Sequence, residues 1–180
     1  MDKSSHERLW APWRLAYVSG EAGKQSEETE AVFELPPGAA ADCFICRAAA
    51  QSDDRRNLVI LRSEPVVTLL NRFPYNNGHL LVAPRRHQGE LHELTRDEHA
   101  ALNDEITRLV GLLREMMHPD GFNIGLNLGQ AAGAGLPGHL HWHVVPRWLG
   151  DTNFMPALAG VRVIPQSLDA LWQLLHDATS

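Results

Sequence analysis

His139, His141 and His143 stand at alternate positions in "GHLHWHVVPRW", Gly138 to Trp148. Alternate residues of a strand share a face, with Cα atoms roughly 6.5–7 Å apart, so this spacing lines three imidazoles along one side of a strand. A helix would scatter them around its circumference. Leu140, Trp142 and Val144 would then pack on the opposite face. A lone histidine is usually a satisfied core or surface residue, but three in alternation beside a glycine-rich loop point to chemistry. Two chemistries fit the spacing. Neighbouring imidazoles could chelate a catalytic zinc with an open water position. Alternatively, one imidazole could attack phosphorus while its neighbours hold the phosphate oxygens, because imidazole is largely neutral at pH 7 and forms a cleavable phosphoramidate. The spacing does not choose between them.

The preceding loop, "NLGQAAGAGLPGH" from Asn127 to His139, supplies small residues and backbone N–H groups of the kind that cradle phosphates. It lacks the lysine of an ATP-binding P-loop. A second constellation is the pair Cys43 and Cys46, the only cysteines. So close a pair closes almost no loop and makes a poor structural disulfide. It can be two small apolar residues in a reducing compartment, a redox pair without the surrounding pattern of one, or half of a metal site. The metal reading needs two more ligands, and the sequence offers His87 and His139. Cys43, Cys46, His87 and His139 would close a Cys2His2 tetrahedron with no position left for water, which is a structural site.

The elements that must position these residues are legible in outline. "NLVILR" and "VVTLLN" flank Ser63-Glu64-Pro65 and suggest a hairpin. "FPYNNGH" is a second turn, followed by the strand "HLLVAP". Thr95 to Met117 is the clearest helix: Thr95 and Glu98 form a capping-box pair, and Leu102, Ile106, Leu109, Leu113 and Met116 recur at helical spacing. "FNIGLNLG" and "HLHWHVVP" read as two strands joined by the glycine loop. A short last helix is expected after Ser167 as N-cap. The predicted fold is α+β, a mainly antiparallel sheet of about five strands with one long helix and a short C-terminal helix.

The chain of 180 residues is expected to bury one substantial core. Residues 1–41 read as an aromatic segment around Trp10, Trp13 and Tyr17 followed by a mobile acidic loop, and residues 42–180 as the folded domain. A net charge of −6 argues against a nucleic-acid surface, while leaving room for one phosphate chain held by local arginines such as Arg72, Arg85, Arg86 and Arg147. No apolar run suggests a signal peptide or reaches the roughly 18 residues of a membrane span. The cytoplasm is the expected compartment, with no membrane partner.

"HLHWHVV" resembles the signature of the histidine-triad (HIT) superfamily of nucleotide hydrolases and transferases, in which histidines alternate with apolar residues. "LLNRFPYNNGHLLVAPRRH", Leu69 to His87, resembles its first nucleotide-binding segment, and the flanking "LWAPWR" and "VPRWLGDTNFMP" are similar to the branch containing bacterial diadenosine-tetraphosphate phosphorylases. The resemblance implies a HIT-like nucleotide-binding domain, a nucleotide substrate such as diadenosine tetraphosphate, AMP or ATP, and a homodimer. It implies that His141 is the nucleophile that takes a nucleoside monophosphate and that His143 contacts the phosphate. Asn127 would help hold phosphoryl oxygens, Asn71 would reach the ribose, and Gly133 and Gly135 would lie along the phosphates. His79 would support the site without reacting. Many members carry Ser or Gln where this chain has Gly135, and the loop is one residue longer than in some relatives. Galactose-1-phosphate uridylyltransferases resemble the Cys43, Cys46, His87, His139 arrangement, implying structural zinc and no organic cofactor. The readings left open are cleavage of dinucleoside polyphosphates to ADP and ATP through a nucleotidyl-histidine, a nucleoside phosphoramidate hydrolase of the same fold, a catalytic zinc enzyme using all three histidines, and a nucleotide sensor without turnover.

Overall fold

The computed structural model describes residues 33–152 and 164–179. The aromatic segment at Trp10–Tyr17, most of the acidic stretch and the "NFMP" tail fall outside these residues.

Among the described residues five strands are formed: β1 (Val59–Ser63), β2 (Val66–Leu70), β3 (Leu80–Pro84), β4 (Gly121–Leu126) and β5 (Trp142–Arg147). They make one sheet in the order β1-β2-β3-β5-β4, every pairing antiparallel. The Glu64-Pro65 turn brings Ser63 opposite Val66, as the hairpin reading expected. β4 and β5 form a second hairpin with Gly121 opposite Arg147 and Leu126 opposite Trp142, so the glycine loop returns the chain beside its own start.

The period of two along each strand separates two faces. Ile60, Val66, Leu70, Leu80, Val82, Leu140 and Val144 face the main core. Across that core runs the long helix, which contributes Leu102, Ile106, Leu109 and Leu113. Burying each such leucine stabilises the fold by about 1.5–3 kcal/mol. The C-terminal helix adds Leu171, Trp172 and Leu175, and the Trp172 indole donates to the Val59 carbonyl at 2.8 Å. On the opposite face Val59, Val67, Leu69 and Ala83 pack under a short helix, α1 (Phe44–Ala50).

Among the described residues the other α-helices are α2 (Asp54–Asn57), α3 (Arg96–Met117) and α4 (Leu168–Thr179). The start of α3 is the expected capping box. Thr95 Oγ1 accepts from the Glu98 N–H at 3.2 Å, and Glu98 accepts from the Thr95 N–H at 2.8 Å. Arg86 adds two charge-assisted bonds to Glu98, at 2.9 and 3.0 Å. The Arg86 guanidinium, aided by the Thr95 bonds, holds the Glu98 carboxyl down at about 2 despite burial. α3 ends at His118 in the left-handed conformation. Ser167 caps α4 as expected, its Oγ accepting from the Ala170 N–H.

One expectation is corrected at its most consequential point. β5 begins at Trp142, so His139 and His141 precede the ladder instead of lying within it. The Leu140 N–H donates to the Gln88 carbonyl at 2.7 Å, which holds this lead-in away from strand pairing. The alternation of faces nevertheless survives, with Leu140, Trp142 and Val144 against the α3 core.

Candidate active site

The face of the sheet opposite α3 carries the imidazoles. His79, His139 and His141 are buried and His143 is partly so. The rings of His141 and His143 are 5.2 Å apart, those of His79 and His143 5.1 Å, and Tyr75 stacks on His143 at 5.5 Å.

The hydrogen bonds assign a tautomer to each ring, because main-chain groups have one role each. The Tyr75 N–H can only donate, so His79 Nδ1 accepts it at 3.0 Å. His79 therefore carries its proton on Nε2 and donates to His143 Nδ1 at 2.9 Å. His143 is left with Nε2–H, a donor for an anionic oxygen. At His141 the partner of Nδ1 is the His139 carbonyl, 2.8 Å away. A carbonyl only accepts, so Nδ1 is protonated and the Nε2 lone pair is the nucleophilic one. Burial, followed by the neighbouring His141, lowers the His143 pKa to about 4, which keeps that ring neutral near pH 7.

His139 turns the other way. Its Nε2–H donates to the Pro84 carbonyl at 2.8 Å, which aims the Nδ1 lone pair at Cys43 Sγ, 3.2 Å, and Cys46 Sγ, 3.5 Å. His87 Nδ1 lies 3.3 Å from Cys46 Sγ. The four donor atoms all lie within 4.8 Å of one another. A tetrahedral zinc ion with ordinary bond lengths would separate sulfur and nitrogen ligands by about 3.5 Å, close to the separations of His139 from both sulfurs and of His87 from Cys46. The cysteine spacing has a local cause. Cys43 is the N-cap of α1 and its Sγ accepts from the Cys46 N–H, so the first turn brings both sulfurs to one side. Burial pushes the Cys43 thiol up to about 12, and a bound cation is what would hold it as a thiolate. The His139–Pro84 bond is the outer support that metal-ligating imidazoles usually have. The residues fit a metal. Among the described residues this group takes only His139 of the three, which disfavours a cage built from His139, His141 and His143 together.

Of the other expected residues, Asn127 directly follows the last register pair, Leu126 with Trp142, just past the end of β4. Asn71 sits beside His79, its amide nitrogen 3.3 Å from Nδ1, while its Oδ1 accepts the Phe73 N–H at 2.9 Å. Gly133 and Gly135 lie exposed in the glycine loop. Gly133 has φ +87° and its N–H already donates to the Gln130 carbonyl, so what it offers is a left-handed turn and not a phosphate bond. The arginines considered for an anion are committed elsewhere. Arg85 pairs with Glu64, Arg86 with Glu98, Arg147 with Asp151 and Asn123, and Arg72 donates to the Arg56 carbonyl. Trp148 is likewise structural, its indole donating to the Met117 carbonyl.

Three contributors were not singled out from the sequence. Tyr75 orients His79 with its N–H and covers His143 with its ring, and an aromatic residue directly after Pro74 in the turn was the available signal. The Pro84 and His139 carbonyls act through the main chain, where residue type carries no mark.

The HIT domain family model matches residues 53–148. A Mycobacterium tuberculosis protein called AP-4-A phosphorylase is 39% identical over 169 residues, 94% of this chain and 82% of its own length. A Schizosaccharomyces pombe protein called bis(5'-nucleosyl)-tetraphosphatase (asymmetrical) is 30% identical over 93 residues, 52% of this chain and 50% of its own. Among solved structures, a Zn-bound histidine triad family protein from Mycobacterium smegmatis superposes with a TM-score of 0.55 at 32% identity, covering 67% of this chain and 82% of that one. With its alternating histidines leading into β5 of an antiparallel sheet and a family match over more than half its length, the chain belongs to the HIT domain family.

Proposed function

We propose that the protein is an enzyme that cleaves dinucleoside polyphosphates by transferring a nucleoside monophosphate to His141 and then to inorganic phosphate. The observation that carries this reading is the bond from His141 Nδ1 to the His139 carbonyl, which leaves Nε2 as the reacting nitrogen. The choice of diadenosine tetraphosphate and of phosphate as acceptor is supported by the 39% identity to a protein called AP-4-A phosphorylase.

In the first step His141 Nε2 attacks the α-phosphorus. A nitrogen–phosphorus bond forms, the bond from that phosphorus to its bridging oxygen breaks, and the electron pair departs on the β-phosphate as ATP. The Nδ1–H bond to the His139 carbonyl stabilises the positive charge that the ring acquires. His143 Nε2–H donates to a phosphoryl oxygen, held in that tautomer by His79, and Asn127 contributes from just past the end of β4. In the second step a phosphate oxygen attacks the same phosphorus, the nitrogen–phosphorus bond breaks, ADP leaves and His141 is neutral again. Water in place of phosphate would give AMP.

Cys43, Cys46, His87 and His139 hold zinc in this reading. The ion supplies no reacting group and instead fixes the segment that presents His141. The Zn-bound M. smegmatis relative supports the choice of metal. Asn71 contacts the ribose, and Gly133 and Gly135 shape the path of the phosphates. β4 is an edge of the sheet with Ile124 exposed, and we read it as the seam of a two-fold dimer. Among the described residues no helix is long and apolar enough to cross a membrane. A reducing cytoplasm suits the paired thiols. Incubation with diadenosine tetraphosphate in the presence and absence of phosphate, with product identification, tests the reaction. ADP with ATP, dependent on phosphate, is expected, and no cleavage in either condition would overturn it.

A further inference from the structure

A cavity of about 500 Å³ opens beside the glycine loop, apart from the histidine cluster. Its walls are Glu90, Leu91, His92 and His99 on one side and Leu128 and Pro137 on the other. The volume is that of a small-molecule site. Part of its wall is the same loop that runs into the histidines: Leu128 directly follows Asn127, and Pro137 stands two residues before His139. The two walls are also held together. A Cβ at Gly89 would come within 3.0 Å of the Pro137 carbonyl, so only glycine permits this approach, and the Gln88 carbonyl accepts the Leu140 N–H.

We propose that this cavity seats the nucleoside of the departing half of the dinucleotide, a placement that rests on the reaction proposed above. Its chemistry favours a nucleoside over a bare phosphate. Among the described residues no lysine or arginine lines it, and Glu90 would repel an anion. Leu91, Leu128 and Pro137 offer apolar surface to a purine, and Leu128 is 47% exposed with no core to enter. The Glu90 carboxylate can accept from ribose hydroxyls, with His92 and His99 as further polar partners. The polyphosphate would run past Asn127 and Gly129 between the two nucleosides.

The test is to fill the cavity with His99→Trp at an exposed helix position and compare two substrates. One is diadenosine tetraphosphate. The other is the p-nitrophenyl ester of AMP, whose leaving group has no nucleoside. The ratio of kcat/KM for the dinucleotide over the ester should fall about tenfold, and Leu128→Ala should move it in the same direction. An unchanged ratio in both variants would overturn the assignment. If the wild type cleaves neither substrate, the proposed reaction fails and the cavity is judged by binding. Adenosine titrated calorimetrically should then fill two sites per chain in the wild type and one in His99→Trp, and a single site in both would overturn the cavity by itself.

Discussion

The carbonyl oxygen of His139 accepts a hydrogen bond from Nδ1 of His141 at 2.8 Å, while the side chain of the same His139 points its own Nδ1 at the sulfurs of Cys43 and Cys46. One residue thus belongs to both constellations. Its ring faces the metal-type cluster and its main chain sets the tautomer of the neighbouring imidazole. Any displacement of the His139 ring is passed to His141 through a single intervening residue.

His141→Ala is expected to lower turnover by three orders of magnitude or more, roughly the loss seen when a nucleophile is removed from a covalent route. The melting temperature should change little, since the ring lies on the site face and outside the main core. Steady-state kinetics and a thermal melt on the same preparation check both halves, and turnover within about tenfold of wild type would contradict the assignment.

Cys43→Ser removes one of four donors and the sulfur that caps α1. Metal content of the purified variant should drop, and the melting temperature should fall by roughly 5–10 °C, as for a loss of a few kcal/mol in a domain of this size. Metal analysis beside calorimetry decides it. Undiminished metal would end the zinc reading.

Glu98 makes a stability prediction with a definite sign. Its folded carboxyl titrates at about 2, below its ordinary 4.5, because Arg86 and the Thr95 N–H favour the charged form. Its contribution is therefore complete above about 4.5 and is lost as pH falls through about 2. Glu98→Gln should cost about 1–2 kcal/mol near neutral pH, with the deficit shrinking in denaturant titrations carried progressively below pH 4.5. A deficit that grows on acidification would contradict this.

For His143 the lowered pKa of about 4 means that the ring remains neutral, accepting from His79, well below the usual histidine range. In the pH profile of kcat the contribution of His143 should not be lost near 6.5, falling away only toward about 4. Replacing His79 by Phe removes the donor to His143 Nδ1 and should lower kcat more than it changes KM, by about tenfold or more.

Much of this arrangement was legible in the residues. The α3 capping box, the Glu64-Pro65 hairpin and the apolar stripe from Leu102 to Leu113 are local patterns, and local patterns specify local structure. The grouping of Cys43, Cys46, His87 and His139 was also foreseeable, since metal ligands are few and chemically distinctive. What escaped was set by tertiary contacts. The order β1-β2-β3-β5-β4 depends on α3 crossing the sheet before β4 is laid down. The exit of His139 and His141 from the ladder depends on a bond from Leu140 to Gln88, a partner 52 residues earlier. The short helices α1 and α2 carry Cys43 and Asp53 as caps, but cysteine is an unusual cap and four residues at α2 are too few for a periodic signal. The ion pairs of Arg85, Arg86 and Arg147 were not legible because charge type does not reveal which carboxylate a guanidinium meets after folding.

The central claim is that phosphorus passes through a covalent bond to His141, and stereochemistry at that phosphorus tests it most directly. With a substrate made chiral by sulfur and heavy oxygen at the α-phosphorus, two successive in-line displacements give net retention, which is the predicted result. Net inversion would mean one direct displacement and would contradict the account.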